Sequence, residues 1–218
     1  MKAFIFDMDG VLFDTEAIKA KSHSDCCAFW GKRVDPEVYK DYLGQSFDTV
    51  SEAFIELGDC NIQLKEYQDQ FDNIYKNHIQ GGLHPTPGLF QVLQLLGQHE
   101  CKTAVVTSSA RWMVDLLLKK AGIDKMFNVT LACEDVDKEK PSPVPYQTAI
   151  AKLAVQPANC YVFEDSAAGI QSATRAGTTA FGLRHALNGL QDFSQAKAEF
   201  GSFEDTQLMT ALNDILSS

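Results

Sequence analysis

The sequence predicts an α/β protein: a doubly wound parallel sheet with an all-helical segment inserted after its first strand. Three observations carry this. Short apolar runs alternate with helix-period stretches from about residue 89 onward, the pattern of a parallel sheet covered by helices on both faces. Residues 15–80 hold no convincing strand and read as helices throughout. The 218 residues, 45% hydrophobic and 22% charged, suffice for a core that needs no disulfide staples.

Ala3-Phe4-Ile5-Phe6 is a short apolar run closed by Asp7, which reads as a buried first strand. Helical patterns follow near 15–30, 36–43, 46–57 and 64–79, punctuated by Gly31, Pro36, Gly44 and Gly58. The return segment Gly81-Gly82-Leu83-His84-Pro85-Thr86-Pro87-Gly88 sets two glycines beside two prolines, a hinge of limited swing. Helices are then expected at Leu89–Gln98, Arg111–Lys120, Val144–Lys152 and Ala167–Ala176. Between them fall strands at Lys102–Val106, Asn128–Ala132, Cys160–Phe163 and Thr178–Phe181. A last helix at about Thr206–Leu216 is expected on the sheet's edge. The division that results is an α/β core of residues 1–14 and 83–218, Rossmann-like in its alternation, and a helical cap of residues 15–82.

A formal charge of −10 without any Lys/Arg run argues against nucleic acid as a partner. No apolar run approaches the ~20 residues of a membrane span, and no apolar leader precedes the first strand, so a cytoplasmic monomer is expected. Six cysteines, none in a C-x-x-C pair, fit free thiols in a reducing compartment. Five histidines without metal-ligand spacing give no zinc site.

Four motifs carry chemistry. Asp7-Met8-Asp9-Gly10 ends the first strand; Asp-Gly there is a turn signal, and the same segment places two carboxylates at the sheet's carboxyl edge. Thr107-Ser108-Ser109 ends the second strand, where hydroxyls before a helix either cap it or, with its free amides, cradle an anion. Lys140 lies in Glu139-Lys140-Pro141-Ser142-Pro143, and Glu164-Asp165-Ser166 joins another strand to a helix whose dipole the two acids could complement. Parallel topology brings three of the four to one edge. Carboxylates there suit Mg²⁺, a lysine and a hydroxyl suit phosphate oxygens, and an aspartate can attack phosphorus.

Together these motifs resemble those of the haloacid dehalogenase superfamily of phosphohydrolases, in the branch similar to β-phosphoglucomutase and the sugar-phosphate phosphatases, which carries a helical cap after the first strand. They match in type, order and spacing over residues 7–169. The resemblance implies a Mg²⁺-dependent phosphomonoester hydrolase acting on a small phosphorylated metabolite, a sugar phosphate by preference. It implies Asp7 as the nucleophile that forms an aspartyl-phosphate, ionised beside the metal. Asp9 would be the acid, protonated at first, that later activates water. Thr107 and Ser108 would bind the phosphoryl group, with Gly10 beside them, and Lys140 would offset its charge. Asp165 would ligate Mg²⁺ with Asp7 and the Asp9 carbonyl, and Glu164 directly or through water.

Two departures bear on the reaction. Lys19 stands where the β-phosphoglucomutase pattern has a histidine, and Phe47, in Gly44-Gln45-Ser46-Phe47, where it has an arginine that grips a second phosphate. Both favour hydrolysis over the alternative of a phosphosugar mutase, for which Lys19 or Lys76 would have to supply the grip. A sugar-phosphate-binding regulator without catalysis is the alternative of another class; it would need no nucleophile and acid side by side. A receiver domain has no place for the helical insert. Phe29, Trp30 and Phe47 read as filling the insert's own core.

Overall fold

The computed structural model describes residues 1–217. Six parallel strands form one sheet: β1 (Ala3–Phe6), β2 (Lys102–Val106), β3 (Val129–Leu131), β4 (Cys160–Glu164), β5 (Thr179–Leu183) and β6 (Ala198–Phe200), in the order β3-β2-β1-β4-β5-β6. The first strand is central, with Phe4 opposite Thr103 on one side and Tyr161 on the other. The order therefore reverses at β1, and the carboxyl ends of β1, β2 and β4 emerge side by side at the switch point.

Strand alternation divides the core between the two faces. Phe4 and Phe6 join Val105, Phe163 and Phe181 on one face, against helices α4 (Leu89–Gln98) and α5 (Arg111–Ala121) and the last helix, α8 (Thr206–Ser217). Ala3 and Ile5 join Ala104, Val106, Val162 and Ala180 on the other, under α6 (Val144–Leu153) and α7 (Ala167–Arg175). Thus α8 does not cap the sheet's edge: its buried Leu208 and Leu212 belong to the same apolar cluster as Phe4 and Phe6. The edge is instead β6, a three-residue strand with Glu199 exposed at its centre, too short and too polar to stand out in the sequence.

Between β1 and α4 lie α1 (Glu16–Phe29), a 3-10 helix (Pro36–Tyr42), α2 (Phe47–Leu57) and α3 (Leu64–Gly81). The expected helix at 36–43 is this tighter one. Pro36 opens it, and Asp35 caps it by accepting from the Glu37 amide at 2.9 Å. On α3, Tyr67, Phe71, Tyr75 and Ile79 recur every fourth residue and form its buried stripe. They close on Phe54 of α2 and His23 of α1, whose ring lies 4.7 Å from Phe54 and 4.3 Å from Phe71. The insert's aromatic cluster is continuous with the apolar residues on one face of the sheet, and Tyr75 meets Trp112 of α5.

The chain enters and leaves the insert through paired segments. Asp14 N donates to His84 O at 3.0 Å and Thr86 N to Leu12 O at 3.0 Å, around an antiparallel bridge between Phe13 and Pro85. Just before this, Met8 to Phe13 forms the expected turn: Leu12 N donates to Met8 O at 2.9 Å, and Gly10 holds φ +74°. Among the described residues no helix is long and apolar enough to cross a membrane, and all six cysteines are unpaired.

Candidate active site

Asp7 follows β1 directly and is fixed by its own amide, which donates to Phe163 O at 2.9 Å. Its Oδ1 accepts from Lys140 Nζ at 2.5 Å. Lys140 also donates to Val106 O at 3.0 Å and Glu164 Oε1 at 2.5 Å, so all three of its protons are placed. Asp7 Oδ2 accepts no hydrogen bond from the described residues, and Asp7 faces the cavity.

Glu164 is fully buried beneath this pair. Tyr146 donates to its Oε1 at 2.6 Å, while Oε2 accepts from Asp165 N at 3.1 Å, Ser166 N at 3.3 Å and Ser166 Oγ at 3.1 Å. It packs on Gly169 so closely that a Cβ there would lie 1.9 Å from its carboxyl group. Against the expectation that it ligates a metal, both its oxygens are engaged by the protein and it does not line the cavity. Gly10 does not line it either. Its missing Cβ makes room for Asp165 Oδ2, which would come within 2.3 Å, and for His185.

Asp165 lines the cavity; its Oδ2 meets His185 Nε2 at 2.9 Å, and its backbone carbonyl accepts from Asn188 Nδ2 at 2.8 Å. Thr107 and Ser108 line it as expected. The helix after them begins at Arg111 with Ala110 as its cap, so neither serine caps it. Ser109 instead donates from Oγ to Asp9 Oδ2 at 2.6 Å, and its amide donates to Thr107 Oγ1 at 3.0 Å.

Asp9 is held by three side chains. Besides Ser109 it accepts from Thr15 Oγ1 at 2.5 Å, and Lys19 Nζ lies 2.6 Å from its Oδ2. Lys19 in turn reaches Ser109 Oγ at 2.9 Å and Glu16 Oε1 at 3.9 Å. Glu16, Lys19 and His23 fall three and four residues apart, so one face of α1 presents all three to the cavity. Of that face the sequence reading named only Lys19, as a departure from a family pattern; Glu16 and His23 were missed, and helical spacing after Asp14 was their only signal.

Charge follows this geometry. Burial opposes ionisation of Asp9, but Lys19, Ser109 and Thr15 outweigh it and hold the carboxyl below its usual value. Burial raises Asp7 well above that value; Lys140 opposes the rise, and Glu164, Asp165 and Asp9 add to it. Burial, with Glu16 and Glu164, likewise raises Asp165. Burial opposes the charge on Lys140, yet Asp7 and Glu164 hold its ammonium above the usual value.

Asp7, Asp9, Glu16, Glu164 and Asp165 therefore surround two lysines, Lys19 and Lys140. Such an acidic surplus suits a hard divalent cation. Among the described residues no three His, Cys, Asp or Glu side chains enclose a metal by themselves. Asp7 Oδ2 and Asp165 Oδ1, which accept no hydrogen bond from the described residues, are two oxygens open to such a cation. That number fits Mg²⁺, which keeps several of its waters.

The far wall of the cavity comes from the insert: His23, Tyr39, Gln45, Phe47, Val50 and Phe71. Phe47 both lines the cavity and packs on Phe71 of the insert's core, with ring centroids 4.9 Å apart, Trp30 stacks on Tyr67 as expected, and Phe29 alone is exposed. The enclosed space is about 50 Å³, room for a few waters. Gly44 closes it by approaching Ser166, whose Cβ would be 2.7 Å from a Cβ at residue 44.

The family model for haloacid dehalogenase-like hydrolases matches residues 4–183. The phosphorylated carbohydrates phosphatase of Thermotoga maritima is 26% identical over 217 residues, 99% of this chain and 100% of that protein. Fructose-1-phosphate phosphatase YqaB of Escherichia coli is 28% identical over 180 residues, 83% of this chain and 95% of that one. In fold, CbbY from Rhodobacter sphaeroides, solved in complex with phosphate, matches with a TM-score of 0.86 at 23% identity, over 94% of this chain and 96% of that one.

Proposed function

The chain belongs to the haloacid dehalogenase-like hydrolase family, and on that footing we propose that it is a phosphatase of small phosphorylated metabolites, sugar phosphates foremost, with Asp7 as nucleophile. The observation that carries the assignment is Asp7 itself: one carboxylate oxygen is clamped by Lys140 and the other is left without a protein partner, on a residue that faces the cavity.

In this reading the Asp7 carboxylate attacks phosphorus and forms an acyl-phosphate as the bond to the leaving oxygen breaks. Asp9 delivers a proton to that oxygen, then takes one from the water that attacks phosphorus and releases phosphate, restoring Asp7. To donate first, Asp9 must acquire a proton, and Lys19 then keeps Ser109 Oγ and Glu16 as its partners. Thr107 Oγ1 and the Ser108 amide hold the transferring oxygens, and Lys140 orients Asp7 while offsetting the charge. Mg²⁺, held by Asp7, Asp165 and the Asp9 carbonyl, would neutralise the phosphoryl oxygens when bound. Glu164 is assigned to holding Lys140 in place rather than to the metal.

The insert is assigned as a cap that closes over the bound substrate, residues 15–82 against a core of 1–14 and 83–218. The six unpaired cysteines support a cytoplasmic setting. A mutase is disfavoured by the cations offered for a second phosphate: Lys19 is held by Asp9, and Lys76 lies 4.3 Å over the Trp112 ring, outside the cavity.

The test is phosphate release from a panel of phosphorylated metabolites with Mg²⁺ or with EDTA. We expect Mg²⁺-dependent release that Asp7→Asn lowers on the order of 10³-fold or more while circular dichroism stays unchanged. Wild-type turnover by that variant overturns the nucleophile assignment.

A further inference from the structure

On the insert's side of the cavity the wall is Phe47, Val50 and Phe71 with the uncharged polar groups of His23, Tyr39 and Gln45, and its one cation, beside Glu16, is already committed. Lys19 Nζ sits 2.6 Å from Asp9 Oδ2, 2.9 Å from Ser109 Oγ and 3.9 Å from Glu16 Oε1. Lys140, across the cavity, has placed all its protons on Asp7, Val106 O and Glu164. No arginine lines the cavity. His23 contributes no charge, because burial and the nearby Lys19 keep its imidazole neutral. A second anionic group on a substrate would meet no unengaged cation, only the carboxyl groups of Asp9 and Glu16 around a single ammonium.

Glu16 supplies an independent observation. It is 5% exposed and lines the cavity, and although the Tyr39 hydroxyl lies close enough to favour its charge, its Oε2 accepts no well-formed hydrogen bond from the described residues. A buried acceptor of this kind calls for a donor. Phe47 and Phe71, with ring centroids 4.9 Å apart, lie on the same side and offer faces to a C–H surface.

Resting on the phosphatase reading above, we propose that the leaving group is uncharged: a sugar or polyol with a single phosphoryl group, one hydroxyl donating to Glu16 Oε2 and its C–H face against Phe47 and Phe71. The site selects against substrates that carry a second phosphate or a carboxylate.

The test compares kcat/KM within matched pairs, fructose 1-phosphate against fructose 1,6-bisphosphate and glycerol 3-phosphate against 3-phosphoglycerate, in the Mg²⁺-loaded enzyme. The neutral member of each pair should be favoured by about tenfold or more, one tenfold step corresponding to about 1.4 kcal/mol. Phe47→Lys and Glu16→Gln, each checked for folding by circular dichroism, should narrow that preference by about threefold or more. Glu16→Gln should also raise KM for the neutral member, and it decides the matter alone if Phe47→Lys does not fold. Equal or better hydrolysis of the charged members by the wild type overturns the proposal, as does a preference that Glu16→Gln leaves unmoved. If neither member of any pair is cleaved in an Asp7-dependent way, the phosphatase reading itself fails.

Discussion

His23 shows how one side chain couples the insert's stability to pH. Its ring is buried among Phe54, Phe71, Tyr39 and Tyr67, and its Nδ1 meets Tyr67 Oη at 3.0 Å. Burial holds the imidazole well below its usual value of 6.5. The unfolded chain therefore binds a proton that the folded one refuses, and the stability present above about pH 6.5 is lost as pH falls. Between about pH 7.5 and 5.5, urea denaturation should show the wild type losing up to about 1.4 kcal/mol more than His23→Gln; equal losses would mean that the folded ring takes up its proton as readily as the unfolded one. Single residues were legible to very different degrees. Asp7, Asp9, Thr107, Lys140 and Asp165 could be placed from the sequence because each stands at a strand end or beside a turn. Glu16 and Ser109 could not, since their roles depend on how α1 is set against the sheet, which no local pattern encodes.

At the scale of elements, the join of β4 to α7 is the tightest fit around the site. Gly169 in the first turn of α7 leaves no room for a Cβ beside Glu164, which holds Lys140, which holds Asp7. Gly169→Ala should displace that chain of contacts and lower kcat by about 100-fold with little change in KM, because it misplaces the nucleophile rather than the substrate; steady-state kinetics checks this, and an unchanged kcat would show that Glu164 is not the support of Lys140. The parallel strands and the fourth-residue stripe of α3 were legible because periodicity encodes them. The edge strand β6 and the seat of α8 were not. The strand is three residues long, and an amphipathic helix does not say which apolar surface it will cover.

For the molecule as a whole, a site with about 50 Å³ of room for water is tight for a sugar phosphate, and in the proposed reading the insert swings outward to admit one. Gly44, at φ +79° and in contact with Ser166, is where the insert seats. Gly44→Ala meets both the strained backbone and the 2.7 Å approach, so it should hold the insert off the core. Activity should fall by about tenfold and protease cleavage within residues 81–88 should quicken; unchanged values of both would place the seat elsewhere. The swing itself is shaped by the paired segments Leu12–Asp14 and His84–Thr86, which cross between core and insert side by side. Because departure and return share one hydrogen-bonded ribbon, sixty-odd residues hang from a single point of the sheet's circuit. The insert is thus a cassette: another helical bundle could be grafted onto the same two ends, changing what the catalytic carboxylates are offered without rewiring the strands that hold them.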